Sequence, residues 1–140
     1  MSRLLVALQF GLMGLMVLRT DPSKPGLVFA ALLAAGLAIG LWAISANRPG
    51  NFNIRPDPKE GGSLVTGGPY RWIRHPMYLA VLVFMAAFVA AGDAAQALLW
   101  LLLAAVLAAK AVREERGMAQ LHPGYAAYRA RTRALLPFVF

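Results

Sequence analysis

The sequence predicts an all-α integral membrane protein of about four transmembrane helices, with a cytosolic loop and a C-terminal helix beside them. Three observations predict it. The 140-residue chain is 59% hydrophobic, with a mean hydropathy of +0.59, too apolar for an ordinary soluble domain of this length. From Pro76 to Ala109 the only ionised side chain is Asp93, and long uncharged runs mark membrane spans. The basic residues flank the apolar runs, and most fall on one side.

The first apolar run is Leu4–Leu18, "LLVALQFGLMGLMVL". It is short for a span, and a signal peptide is the rival reading. The following "RTDPSKPG" resembles a turn more than a cleavage site. The second run, Leu27–Ala46, has the ~20 residues needed to cross ~30 Å of hydrocarbon. The third and fourth, Met77–Ala91 and Ala94–Val112, are separated only by Gly92 and Asp93, so they form an antiparallel hairpin. One domain over residues 1–140 accounts for the chain.

Orientation follows from lysine and arginine in the connecting segments. With a cytoplasmic N-terminus, the inner segments hold 12 of the 14 basic residues, and Arg19 and Lys24 alone lie outside. The net charge of +8 thus reflects membrane topology, and nucleic acid is not an expected partner. Both termini, residues 47–76 and residues 113–140 are expected in the cytoplasm, with the spans in a membrane of the bacterial inner-membrane type. The first cytosolic segment is rich in glycine, proline and asparagine and too long for a mere connection. The second reads as helix, interrupted near Pro123 and resumed through Tyr125 and Tyr128.

The stretch "LVTGGPYRWIRHPMYLAV", Leu64–Val81, concentrates polar chemistry at the start of the third span. Pro76 suits the first helical turn, which puts His75 near the helix cap. A helix N-terminus favours an anion, Arg74 adds positive charge, and Tyr78 lies one turn on. Gly67, Gly68 and Pro69 shape the approach of Tyr70. The plain alternative is a set of interfacial anchors. The second cluster, "KAVREER" at Lys110–Arg116, lies where the fourth span leaves the membrane. Alone, it is an ordinary solvated helix face with local ion pairs. The hairpin brings the two clusters together, so a positive and a negative corner face each other beneath the membrane and suit a zwitterionic ligand.

Other chemistries find little support. His75, His122 and scattered carboxylates offer too few ligands for a metal site. There is no cysteine and no serine-hydrolase elbow. The glycine pairs are too weak for a phosphate loop, and His122 reads as a turn residue.

"LVTGGPYRWIRHPMY", a two-helix hairpin and the downstream paired glutamates, tyrosines and "LLP" together resemble the isoprenylcysteine carboxyl methyltransferase-like family, over roughly Phe52–Pro137. These are integral-membrane, S-adenosyl-L-methionine-dependent methyltransferases, related more distantly to the phospholipid N-methyltransferases. The resemblance implies a cofactor pocket bordered by Arg55, Ser63, Leu64 and Val65. Tyr70 and the His75-Pro76-Met77-Tyr78 run would line it, with Glu114 on a polar end of the cofactor and Glu115 beside it. Lys110 would face the methyl acceptor where eukaryotic members tend to have arginine; Arg74, the fixed charge at the helix end, is expected beside it as the second catalytic residue. Lysine keeps the charge but not the bidentate fork suited to a carboxylate. The implied acceptor is lipophilic and enters from the bilayer, reacting through a carboxylate or an amine.

Two other classes are a sterol-type membrane reductase, which shares a related motif but is much longer, and a non-enzymatic transporter or scaffold. Small cation exporters need an acid buried mid-membrane, whereas Asp93 falls in the outer turn. A homodimer could pair through Gly36–Gly40, a small-xxx-small spacing.

Overall fold

The computed structural model describes residues 1–21, 23, 26–47, 51 and 62–135. Among these the fold is entirely helical: α1 (Ser2–Leu18), α2 (Leu27–Ala46), α3 (Pro76–Ala90), α4 (Ala94–Leu121) and α5 (Tyr125–Arg131), with a 3-10 turn at Gly68–Arg71 before α3. Two of them, α2 and α4, are long and apolar enough to cross a membrane, while α1 and α3 are apolar but shorter. At 1.5 Å per residue those two measure roughly 26 and 23 Å against ~30 Å of hydrocarbon.

Exposure fits an apolar solvent. Leu4, Phe10, Leu37, Leu41, Leu98 and Leu101 all face outward, where a water-soluble bundle would carry charge. The core is correspondingly thin. Met16, Met85, Leu103 and Leu107 are wholly buried or nearly so, with Leu82 and Phe88 beside them.

The chief packing contacts join α2 to α3 and α1 to α4, and α3 lies against α4. Gly36 makes the first of these possible. A Cβ there would sit 2.6 Å from the backbone nitrogen of Phe84, and Gly40 lies opposite Ala80 with 3.6 Å to its Cβ. The Gly36–Gly40 stripe is therefore filled by α3 of the same chain. This corrects the expectation that it pairs two copies: the Phe84 backbone already occupies the groove that a partner helix would need. Gly36→Val should cost about 2–3 kcal/mol through overpacking, read as a lowered thermal midpoint in detergent, whereas Gly40→Ala should be tolerated. Equal midpoints for the two variants would refute this packing.

The α3–α4 hairpin turns at Gly92 and Asp93. Asp93 caps α4, its Oδ1 accepting from the Gln96 backbone N–H at 3.1 Å, and its carboxylate pairs with Arg19 at the end of α1 at 3.3 Å. Gln96 donates to the Met16 carbonyl (2.9 Å) and to Thr20 Oγ1 (3.0 Å). Polar contacts thus fasten this end of the bundle.

At the other end α4 runs past the expected boundary at Val112 to Leu121, about 42 Å in all. Its last turns project beyond any single hydrocarbon crossing and carry Glu114 and Glu115. After α5, residues 132–135 return alongside the segment before α3. Ile73 and Arg133 form a parallel bridge, with the Arg74 N–H donating to the Arg133 carbonyl at 2.7 Å and the His75 N–H to the Ala134 carbonyl at 3.0 Å.

Candidate active site

The site forms where the start of α3 meets the projecting part of α4. His75 is the N-cap of α3, and buried Pro76 takes the first helical position. The imidazole of His75 stacks on the Tyr78 ring at 5.3 Å, only 6° from parallel. Its Nε2 donates to Glu115 Oε1 at 3.1 Å, and its Nδ1 lies 3.7 Å from Glu114 Oε2. Tyr78 reaches the same oxygen, its hydroxyl donating to Glu114 Oε2 at 2.9 Å. Two residues on α3 therefore converge on one carboxylate of α4.

The two glutamates differ in environment. The Glu115 side chain is 10% exposed and that of Glu114 is 37%. Arg74 Nε donates to Glu115 Oε1 at 2.7 Å, and Arg129 lies 3.4 Å from the other oxygen. Burial pushes the Glu115 carboxyl up, but hydrogen bonds from His75 and Arg74, with the guanidinium charge, outweigh it. They bring the group down from its ordinary 4.5 to about 2.

Arg74 differs from expectation. Its guanidinium is spent on Glu115 and on the Thr132 carbonyl, to which it donates at 2.7 Å. The His75 backbone N–H is likewise spent on Ala134. The positive corner read from sequence is thus largely neutralised by groups 40 to 60 positions away, and Arg74 clamps the site's floor.

Asn51 holds the loop before α3. Asn51 behaves like a peptide edge: its Nδ2 donates to the Ser63 carbonyl and its Oδ1 accepts from the Ser63 N–H, both at 3.0 Å. Leu64 and Val65 follow, half-buried. Gly68 has φ +56°, and a Cβ there would meet that of Ala46, so the turn can pass close to α2 only as glycine. Tyr70 follows, its phenol pushed up to about 12 by burial, against a lowering hydrogen bond to Asn47, with Glu114 adding to the rise. Its carbonyl accepts from the Tyr128 hydroxyl at 2.7 Å. Met77 is half-buried at the start of α3. Arg55 lies outside the described residues.

Lys110 sits one turn before Glu114, deeper in the bundle. It is 2% exposed. Its Nζ donates to Gln9 Oε1 of α1 at 2.6 Å and lies 5.3 Å from the Tyr78 ring centroid.

The structure therefore gathers Tyr70, Arg74, His75, Tyr78, Lys110, Glu114 and Glu115 at one end of the α3–α4 pair. Sequence reasoning missed Gln9, Asn51 and Thr132. Gln9 did leave a signal, as the lone polar residue between Leu4 and Leu18.

A family model described as phospholipid methyltransferase matches residues 26–123, from the start of α2 to just past α4. A search of curated proteins finds no match.

Proposed function

Since the chain belongs to the phospholipid methyltransferase family, whose members are integral-membrane S-adenosylmethionine methyltransferases, we propose that it moves a methyl group from S-adenosylmethionine to a lipophilic acceptor at the membrane face. In this reading α1, α2, α3 and α4 all cross the bilayer. The short α1 and α3 are accommodated by local thinning and interfacial side chains, and both termini are cytosolic, as the basic residues favour.

The observation that carries the reading is the meeting of His75, Tyr78 and Glu114, with Nδ1 and Oε2 3.7 Å apart. The donor set fits the cofactor's cationic end. Glu114 keeps over a third of its side chain accessible, so its carboxylate can take an ammonium, and Tyr78 fixes its direction. Tyr70 and the backbone at Ser63, Leu64 and Val65 would form the wall.

S-adenosylmethionine would supply a methyl group already activated on sulfonium, so the protein's work is alignment and exclusion of water. Glu114 binds the cation. Arg74 and Glu115, locked together, hold His75 and the start of α3 in place. Lys110 presents a positive charge on the membrane side, where the acceptor enters. Glu115, held at about 2, is too weak a base to take a proton from an ammonium product. Glu115 therefore belongs to the clamp, and the acceptor reacts through a carboxylate or an amine.

Calorimetry with S-adenosylhomocysteine on the purified chain tests the reading. Saturable one-to-one binding is expected. Heats no different from those of the detergent alone would end it.

A further inference from the structure

Between the end of α4 and α5 lies an open groove of about 530 Å³. His122, Arg129 and Arg133 supply most of its polar groups, and Pro123, Ala126 and Ala130 line much of the rest. None of the residues assigned to the cofactor lines it. The charge here has one sign. From Arg116 to Phe140 the chain holds four arginines and no carboxylate side chain. The nearest carboxylates, Glu114 and Glu115, are turned to Tyr78 and Arg74. Arg129 does reach Glu115, its Nε 3.4 Å from Oε2. Arg74, however, holds the other oxygen at 2.7 Å, so one carboxylate faces two guanidiniums, and Arg133 adds a further positive charge. Arg129 and Arg133 are both exposed, which leaves donors of their guanidinium forks within reach of a ligand.

Its neighbours set the groove's level against the bilayer. The Arg133 N–H donates to the Trp72 carbonyl at 2.9 Å. Trp72 lies against Trp42 near the end of α2, ring centroids 5.7 Å apart, and the two are 43% and 47% exposed. Exposed tryptophans beside a span mark the headgroup layer, and the Arg71 guanidinium stands over the Trp72 ring at 4.4 Å. An arginine-lined groove beside that layer faces phosphodiester groups, whose oxygens suit the planar guanidinium fork. We propose that the α4–α5 groove binds the phosphate headgroup of an anionic phospholipid and so seats the C-terminal segment on the membrane surface. The inference goes beyond the methyltransferase reading and needs only the membrane.

The chain holds two histidines, and they report on two places: His122 lines the groove and His75 caps α3. The full chain in neutral detergent micelles, its histidine rings labelled with nitrogen-15, is titrated with dihexanoyl phosphatidylglycerol. Dihexanoyl phosphatidylcholine is the zwitterionic control and inorganic phosphate the soluble one. Loss of a signal in His122→Gln assigns the groove. In wild type the His122 signal should shift saturably with phosphatidylglycerol, need about tenfold more phosphatidylcholine, and barely respond to inorganic phosphate at matched concentration. Arg133→Gln keeps the backbone bonds and should raise the half-saturating amount of phosphatidylglycerol about tenfold, the loss of one charge-assisted contact. Arg131→Gln removes the same charge two positions away, outside the groove lining, and should raise it less than about twofold.

A basic surface that attracts anions without a defined seat predicts equal effects of Arg133→Gln and Arg131→Gln, and that result overturns the proposal. So does a wild-type His122 signal that phosphatidylglycerol leaves unmoved. Saturation by inorganic phosphate as readily as by the lipid would make the groove a soluble-anion site and overturn the lipid assignment. A shift at His75 alone would put the lipid between α3 and α4 instead, and would equally refute the groove. These wild-type titrations decide the matter even if Arg133→Gln disturbs the fold, which a displaced His75 signal before any lipid is added would reveal. Binding of S-adenosylhomocysteine is read separately: its failure would end the methyltransferase reading and leave the groove standing.

Discussion

Glu114→Gln is expected to lower affinity for S-adenosylhomocysteine by about ten- to a hundredfold, the value of a charge-assisted hydrogen bond to an ammonium, while the protein stays folded. Glutamine has nearly the shape of glutamate and keeps an oxygen for the Tyr78 hydroxyl, which donates at 2.9 Å. What disappears is the negative charge. Because the Glu114 side chain is 37% exposed, its neutralisation should lower the thermal midpoint only slightly. Calorimetry and a melting curve on one preparation read both quantities. Undiminished affinity would remove Glu114 from the cofactor site. A collapse of the midpoint would make it a structural residue.

Arg74→Ala should act in the opposite way, on stability first. The Arg74 and Glu115 side chains are 9% and 10% exposed, and removing one partner leaves the other charge buried, at a cost of about 3–5 kcal/mol. The Thr132 carbonyl also loses its 2.7 Å donor, which loosens residues 132–135. The expected result is a sharply lowered melting temperature and early proteolysis after α5. Acid should reproduce the effect in wild type. The folded-state pKa of Glu115 lies below its unfolded value, so its contribution is complete above about pH 4.5 and drains away as pH falls toward about 2. Without Arg74 the folded-state value rises toward the unfolded one, so that acid limb should shrink. A midpoint that is flat with pH between 5 and 2 in wild type would contradict the buried pairing.

Hydropathy carried the helices well because it is local. Leu27–Ala46 emerges with the bounds read from sequence, and Gly92–Asp93 marks the hairpin. Hydropathy stops at the membrane boundary, so it could not follow α4 from Val112 to Leu121, where charged residues continue the same helix. The approach of His75 to Glu114 was legible because a tight hairpin equates distances along its two arms. Contacts from outside that hairpin were not. Nothing near Arg74 in the chain announces Thr132, and nothing near Lys110 announces Gln9. The glycine stripe failed for a related reason: spacing identifies a close-packing face but not which helix fills it, and Phe84 of the same chain does.

The parallel pairing of residues 132–135 with the segment before α3 bears on biosynthesis. The floor beneath His75 is built partly from residues translated some 60 positions later. A nascent chain can insert its helices and still lack a finished floor until the ribosome has delivered Arg133 and Ala134. Activity should therefore switch on late in synthesis, and a stop codon just after α5 should yield an inserted but inactive protein.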